Sequence, residues 1–307
     1  MRAHHLLVAG VLFLASCGGS ASPPPATQSA HFPVTLVGST GVSVTITKQP
    51  HRIVSLSPTA TEMLFAIGAG PQVVAVDDQS NFPASAPHTK LSGFQPNIEA
   101  IAAYAPDLVV AADDIGGLVH GLQAVNIPIL IEGPAKTIDD SYRQMVQLGT
   151  ATGQGAGADS VVAKERSDVA AIVATLAKPT RALKIYHELD STYYTATSAT
   201  FIGQVYKVLG LSNIADAATG AAPDYPQLSA EYIVSSNPDL IVLADTNCCR
   251  QDRGTVAARP GWSVIAAVKS GEVINVDDDV ASRWGPRMID FLRVVAPHVR
   301  DIEKQAA

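Results

Sequence analysis

Few side chains in this 307-residue sequence are spaced for covalent or metal chemistry. No two histidines after residue 30 lie at the spacing that places two metal ligands on one face of a helix; these residues are His31, His51, His88, His120, His187 and His298. The motifs G-x-S-x-G, H-E-x-x-H and G-x-x-x-x-G-K-S/T are absent. We therefore expect no metal site, no cofactor and no enzymatic activity, although a site assembled from distant segments would leave no such spacing.

The adjacent cysteines Cys248 and Cys249 are the second chemical feature. In an oxidising compartment two neighbouring thiols can join in a disulfide. We predict this bond, whose role would be to stiffen the loop that contains it. Two free buried thiols, or a bond from one of them to another chain, are the alternatives.

Cys17 ends a short apolar leader that begins after Arg2. The apolar run over residues 6–15 is too short to span a bilayer core of about 30 Å, but it suits a secretory signal. The residues Leu-Ala-Ser-Cys that end at Cys17 resemble the bacterial lipobox. We predict a lipoprotein signal peptide over 1–17, a flexible tether over 18–31, and a lipid on Cys17 that anchors the protein to the outer face of the cell membrane. An ordinary signal peptide with an incidental cysteine is the alternative.

The composition limits the class of protein. Hydrophobic residues make up 47% and charged residues 16%, which excludes a disordered chain and supplies a large core. The formal net charge is −7, and lysine and arginine form no cluster. A nucleic-acid-binding protein would need a basic patch, so that class is excluded.

An internal repeat indicates how the chain is organised. Residues 97–114 and 229–246 align without a gap at an offset of 132, with eight of 18 positions identical. In each copy a residue that can cap a helix comes first, Asn97 or Ser229. A Pro-Asp pair then ends the helix, and an apolar run typical of a buried parallel strand follows. The repeat therefore predicts two lobes of similar construction.

We predict an α/β fold in which each lobe is a mainly parallel sheet flanked by helices. The N-terminal lobe is expected over 32–153 and the C-terminal lobe over 179–307. Residues 155–177 contain no proline and carry one apolar stripe, so a linking helix is predicted over 154–178. Two helices packed within a single domain are the alternative.

Between residues 50 and 295 the chain contains, in this order, RIVSLSPTATEMLFAIGAGPQVVAVDDQSNFP, LSGFQPNIEAIAAYAPDLVV, YYTATSATFIGQVYKVLGLSNIAD, QLSAEYIVSSNPDLIV and SRWGPRMIDFL. These stretches resemble the iron-complex and cobalamin binding proteins of ABC importers. The resemblance implies two α/β lobes joined by one long helix, with a ligand cleft between the lobes. It also implies two kinds of partner, the permease subunits of an importer and a small metal complex.

The function implied by this resemblance is that of an extracytoplasmic solute-binding lipoprotein. It would capture an iron complex, either a ferric siderophore or haem, and deliver it to the permease. Cobalamin is the alternative ligand; Ala112 weighs against it, because cobalamin binders carry a tryptophan at this position. A lipid-anchored scaffold or hydrolase is the alternative from another class.

The resemblance also assigns roles to individual residues. Glu99 and Glu231 match the acids with which family members dock on permease arginines, although each could merely favour the N-terminus of its helix. The candidate ligand-binding residues are Phe94, Tyr194, Tyr225, Arg283 and Trp284. The aromatic rings would pack on the ligand, with packing in the core or at the rim as the alternative. Arg283 would donate a charge-assisted hydrogen bond to an anionic ligand.

We expect Cys17→Ser to release the protein from the membrane, because the lipid needs a thiol to which it can attach. The measurement is the distribution of the protein between the membrane and soluble fractions of lysed cells. If Cys17→Ser remains in the membrane fraction as the parent does, the lipid assignment is wrong.

Overall fold

The computed structural model describes residues 31–176, 181–218 and 224–306. Cys17 and nearly all of the predicted tether lie outside these ranges. Within them, no helix is both long enough and apolar enough to cross a membrane. The predicted α/β class is confirmed: two parallel four-stranded sheets are flanked by helices.

The N-terminal lobe begins with an antiparallel hairpin and continues as alternating parallel strands and helices. The hairpin pairs β1 (Val34–Val37) with β2 (Ser43–Ile46). The strands of its sheet are β3 (Ile53–Leu56), β4 (Val73–Val76), β5 (Leu108–Ala111) and β6 (Ile129–Ile131). The helices are α1 (Pro58–Ala66), α2 (Ile98–Ala102) and α3 (Leu118–Ala124). The spatial order of the strands is β4-β3-β5-β6.

Two longer helices follow, α4 (Ile138–Thr152) and α5 (Gly155–Val173). The C-terminal sheet contains β7 (Leu183–Glu188), β8 (Leu211–Asn213), β9 (Leu240–Leu243) and β10 (Val273–Asn275). Its helices are α6 (Phe201–Val208), α7 (Ala230–Ser236), α8 (Thr246–Cys249), α9 (Arg253–Ala257), α10 (Ala266–Ser270), α11 (Asp278–Ser282) and α12 (Met288–Ala306). The strand order is β10-β9-β7-β8. In both sheets the first strand therefore lies between the second and the third, and the fourth lies beyond the third.

The internal repeat places the same hydrogen-bonded contact between the first and third strands in both lobes. The Asp107 carboxylate, just before β5, accepts hydrogen bonds from the backbone N–H groups of His51 and Arg52 at 3.0 and 2.9 Å. Asp239, just before β9, accepts one from the backbone N–H of Lys184 at 2.8 Å. Lys184 lies 132 residues after Arg52, so the repeat offset extends to the first strand of each sheet. Each Pro-Asp aspartate thus joins the start of the third strand to the start of the first.

The helix α5 packs against both lobes. It contacts α1 and α4 on the N-terminal side and α12 on the C-terminal side. Gly157 permits this close packing, because a Cβ atom there would lie 2.0 Å from the carbonyl oxygen of Ile67. One hydrophobic cluster includes residues from both sheets and these helices. The lobes therefore share part of their core along the linking helix, while the exact domain boundaries stay predictions.

Glu165 of α5 is a buried acid within this shared packing. Neither of its carboxylate oxygens has a hydrogen-bond partner among the described residues. Burial raises the pKa of the Glu165 carboxyl from 4.5 to about 8. A carboxyl group removed from water without a partner is stable only in its neutral form, so Glu165 is protonated in the folded chain at neutral pH.

We expect Glu165→Gln to stabilise the protein at alkaline pH and to have little effect in mild acid. The unfolded chain loses this proton near the ordinary pKa, and the folded chain loses it only near 8. The free energy of unfolding of the parent therefore falls as the pH rises from about 4.5 through about 8. Urea unfolding should show a gain on the order of 4 kcal/mol at about pH 9 and less than about 1 kcal/mol at about pH 5.

The matched control is Asp159→Asn, which removes an exposed carboxylate from the same helix. It should leave the pH dependence above about pH 5 as in the parent. A Glu165→Gln protein whose stability changes equally at both pH values would show that Glu165 is not held neutral by burial.

Candidate functional site

A cavity of about 370 Å³ lies at the carboxyl edge of the N-terminal sheet. Its wall consists mainly of residues that follow the strands of that sheet, together with two residues from the loop before α12. The lining includes Ser57, Thr59, Asp77, Gly93, Phe94, Ala112, Asp113, Pro134, Arg283 and Trp284. In open parallel α/β sheets, ligands bind in the crevice outside the carboxyl ends of the strands. The cavity is formed by both lobes, so it is the candidate ligand site.

Local sequence explains how the chain turns at this edge. The Ser57 side chain caps α1 by accepting a hydrogen bond from the Ala60 N–H, and Pro58 occupies the first turn. At Gly93 a Cβ atom would lie 2.7 Å from the carbonyl oxygen of Leu56. Only glycine allows this loop to lie directly against the end of β3, which brings the next residue, Phe94, to the cavity.

The two aromatic residues of the cavity differ in freedom. Phe94 is 73% exposed, so its ring is available to a ligand. Trp284 is fixed by neighbours on α4: its Nε1–H donates to Gln144 Oε1 at 2.9 Å, and its carbonyl accepts from the Ser141 hydroxyl. Trp284 therefore forms a rigid part of the wall between the lobes, and Phe94 is the aromatic surface open to a bound molecule.

Arg283 lines the cavity but already has protein partners. One guanidinium nitrogen donates to Glu62 Oε1 at 2.7 Å and to Asn81 Oδ1 at 2.9 Å. The other lies 2.7 Å from Asp279 Oδ1 and donates to the Gln79 carbonyl. The side chain is 10% exposed. Its predicted bond to an anionic ligand stays a prediction, and such a ligand would have to compete with two carboxylates.

Glu62 was not among the residues predicted to contribute to the site. It lies on α1, is 2% exposed, and also accepts two hydrogen bonds from Arg287, at 2.6 and 3.0 Å. Glu62, Asp279, Arg283 and Arg287 form a group with equal numbers of positive and negative charges, called here the inter-lobe ion group. Glu62 is the one charged residue of an otherwise apolar and small-residue helix, and this was the available signal in the sequence.

Asp77 was also missed by the sequence analysis. It follows β4, is buried, and its Oδ1 has no hydrogen-bond partner in the described part of the chain. Burial raises the pKa of the Asp77 carboxyl. The exposed Asp113 lines the same cavity. The polar lining thus contains carboxyl groups and a neutralised arginine.

The other predicted aromatics lie outside the lining of this cavity. Tyr194 and Tyr225 are exposed on the C-terminal lobe. Tyr194 pairs with Gln227 in an isolated bridge. The residue before Tyr225 is Asp224, whose carboxylate lies 3.8 Å from the Lys136 ammonium of the other lobe. Tyr225 therefore lies next to an inter-lobe contact, and the ligand roles of both tyrosines stay predictions.

The predicted docking acids occupy equivalent positions. Glu99 and Glu231 are exposed in the first turns of α2 and α7, which Asn97 and Ser229 cap as predicted. Each helix leads into the third strand of its sheet, so its N-terminus lies towards the carboxyl edge, where the cleft is. Neither carboxylate has an ion-pair partner within the ranges that the structure describes. One free acid is thus presented by each lobe.

The carboxyl edge of the C-terminal sheet is filled by its own ion group. Arg259 donates to both oxygens of the buried Glu188 at 2.6 Å. Asp245 is buried beside them, and burial, reinforced by the Glu188 charge, raises its pKa to about 7. The structure joins Cys248 and Cys249 in the next helix, α8. Nothing in the spacing of these residues indicated that Arg259 would reach Glu188.

Two of the histidines, His187 and His298, make side-chain contacts within the C-terminal lobe. His187 is fully buried, its Nδ1 lies 2.6 Å from the Tyr206 hydroxyl, and burial lowers its pKa to about 3. His298 Nδ1 lies 2.8 Å from a Glu272 carboxylate oxygen. Within the described ranges, no cluster of three or more His, Cys, Asp or Glu side chains is placed to hold a metal ion.

The sequence was compared with those of known proteins and protein families. Residues 53–280 match the model of the periplasmic binding protein family. The chain is 31% identical to an uncharacterized ABC transporter substrate-binding lipoprotein of Bacillus subtilis, over 96% of this chain and 95% of that protein. It is 30% identical to a cobalamin-binding protein of Halobacterium salinarum, over 93% of this chain and 80% of that protein.

Solved structures show the same fold. A possible iron-binding, periplasmic solute-binding protein of Staphylococcus epidermidis superposes with a TM-score of 0.72 and 25% identity, over 82% of this chain and 99% of that chain. The periplasmic vitamin B12 binding protein of Vibrio cholerae superposes with a TM-score of 0.69 and 23% identity, over 83% of this chain and 99% of that chain. The fold therefore spans nearly the whole of both of these proteins.

Proposed function

The chain belongs to the periplasmic binding protein family and is a solute-binding protein of the ABC importer type, and we propose that its ligand is a corrinoid such as cobalamin. One observation carries this choice of ligand. The cavity presents the open ring of Phe94 beside carboxyl groups and an arginine whose charge is already neutralised. A corrinoid suits such a wall, because its amide side chains donate hydrogen bonds and carry no charge.

The size of the cavity is consistent with partial enclosure of a large ring. At about 370 Å³ it is at the lower end of the range for ligand pockets, roughly 300–1,000 Å³. A corrinoid would place one edge in the cavity and lie across the exposed aromatic surface outside it. We propose Phe94 as the main stacking surface, with Tyr194 and Tyr225 as contacts from the other lobe.

An iron complex is the second candidate, and Ala112 favours it. This residue lines the cavity where the cobalamin binders that the sequence resembles carry a tryptophan, so one stacking surface is missing. Haem and many ferric siderophores are anionic, however, and the cavity offers them no free cation among the residues that line it. The two ligand classes differ in charge, so titration of the protein with one compound from each class distinguishes them.

Capture and delivery need no covalent step from this chain. The two lobes contribute opposite walls of the cleft, and enclosure excludes water from the ligand. We propose that Glu99 and Glu231 then contact arginines of the permease, one from each lobe. We also propose that a lipid on Cys17 holds the protein at the membrane; the relative from Bacillus subtilis is described as a lipoprotein.

Titration of the purified protein with cyanocobalamin and with haemin tests the ligand. We expect a dissociation constant for cyanocobalamin at least about tenfold below that for haemin, a difference of about 1.4 kcal/mol. Phe94→Ala should weaken cyanocobalamin binding by about tenfold, because the stacked ring surface is lost. Val125→Ala, which shortens an exposed apolar side chain after α3, is the control and should bind as the parent does.

Tighter binding of haemin than of cyanocobalamin would contradict the corrinoid proposal and favour the iron complex. If Phe94→Ala binds the preferred ligand within about twofold of the parent, Phe94 is not part of the site.

The double variant Glu99→Gln with Glu231→Gln tests docking on the permease. It should bind ligand as the parent does but associate more weakly with its permease in lipid nanodiscs. The loss should be larger at low salt, where exposed charges are screened less. The single variants should show comparable losses, because each lobe presents one acid.

The double variant Asp290→Asn with Asp301→Asn, which removes two exposed carboxylates from α12, is the control for the change in net charge. Permease association of the double variant at the parental level, with its fold verified by thermal unfolding, would leave helix stabilisation as the role of these acids.

A further inference from the structure

We propose that Glu62 determines which ligand charge the cleft accepts, by neutralising Arg283 and thereby excluding ligands that carry carboxylates. The inference rests on the proposed function, since it assigns a selectivity to the same cleft. Glu62 contacts no ligand in this account. It acts through the arginine that forms part of the cavity wall.

The position of Glu62 makes this action direct. Arg283 lines the cavity, and Glu62 lies behind it with its Oε1 at 2.7 Å from the guanidinium. Glu62 is itself almost completely buried, so water screens its charge weakly. The charge that a ligand meets at this wall is therefore that of the pair and not that of the arginine alone.

The charge balance of the inter-lobe ion group depends on Glu62. Arg283 and Arg287 contribute two positive charges, and Glu62 and Asp279 contribute two negative ones. Replacing Glu62 by glutamine leaves one positive charge unbalanced at the wall. A carboxylate on the ligand would then gain a partner, whereas in the parent it meets a neutral group with Asp77 and Asp113 nearby.

The contact with Glu62 is not what orients Arg283. The guanidinium is also held by Asn81 at 2.9 Å, by Asp279 at 2.7 Å and by the Gln79 carbonyl at 3.1 Å. Asp279 lies one helical turn before Arg283 in the same lobe. Glutamine can still accept one hydrogen bond from the arginine at the position of Glu62. The substitution therefore removes charge and leaves the geometry of the arginine largely in place.

A pair of corrinoids that differ only in charge provides the test. Dicyanocobyrinic acid heptaamide carries primary amides around its ring, and dicyanocobyrinic acid carries carboxylates at the same positions. Absorbance titration of the full chain and of Glu62→Gln gives a dissociation constant for each compound. We expect the parent to prefer the amide form and Glu62→Gln to reduce this preference at least about tenfold, through tighter binding of the carboxylate form.

Asp301→Asn is the matched control, since it changes the net charge equally near the C-terminal end of α12, whereas the inter-lobe ion group lies at the N-terminal end of that helix. It should keep the parental preference. If Glu62→Gln is folded and changes the affinity for both corrinoids by the same factor, or changes neither, Glu62 acts only as a brace between the lobes and the proposal is wrong.

A second variant covers the case in which Glu62→Gln does not fold. Asp279→Asn removes the other carboxylate of Arg283 from a more exposed position and should reduce the preference in the same direction by a smaller factor. An unchanged preference in this variant overturns the inference.

The experiments distinguish a wrong ligand class from a wrong role of Glu62. If neither corrinoid binds the parent, the corrinoid proposal is wrong, and iron(III) mesoporphyrin and its dimethyl ester supply the same contrast in charge. Reduced discrimination against the carboxylate porphyrin in Glu62→Gln would then support the role of Glu62. Equal effects on both porphyrins, or no binding of either to parent and variant, would overturn it.

Discussion

A buried carboxylate that receives hydrogen bonds from two arginines of the other lobe sets the geometry of the cleft. Glu62 on α1 is almost fully removed from water and would be strongly destabilising without partners. Arg283 and Arg287, on either side of the turn into α12, supply those partners. The loop between them must therefore lie against α1. This constraint brings Trp284 onto α4 and closes one side of the cavity.

The rest of the site follows from the topology of the sheets. Parallel strands joined through helices end at one edge, and the loops at that edge are free to vary while the strands stay fixed. In the N-terminal lobe the hydrogen bonds accepted by Asp107 align β3 with β5. The carboxyl ends of these two strands position the residues on either side of the cavity. The loop at Gly93 then adds Phe94. The frame is thus set by backbone hydrogen bonds, and the chemistry is added by a few side chains after the strands.

The sequence predicted the two-lobed arrangement of strands and helices better than it predicted the residues of the site. The repeat and its caps, Asn97 and Ser229, were sufficient to predict two lobes with matching sheets, because local periodicity and capping depend on neighbouring residues. The pairing of Arg283 with Glu62 could not be predicted, since the two residues lie 221 positions apart and only the folded lobes bring them together. The charge of Glu62 on an otherwise apolar helix indicated that Glu62 has a partner, but it did not indicate which residue that partner is. The short helices α8 to α11 could not be predicted for a different reason: each has only four or five residues, too few to show a clear periodicity.

The two lobes show how one frame can be used for different purposes. At the end of the first strand, Leu56 in the N-terminal lobe corresponds to Glu188 in the C-terminal lobe, at the repeat offset of 132. Glu188 is paired with Arg259, and this pair fills the carboxyl edge of its own sheet. Leu56 needs no ionic partner, so the matching edge stays open and becomes the cavity. Because a buried charge must be paired, the acidic residue at the end of β7 holds Arg259 at this edge of an otherwise similar lobe. The candidate ligand site therefore lies mainly on the N-terminal lobe, and the C-terminal lobe contributes the wall that carries Arg283 and Trp284.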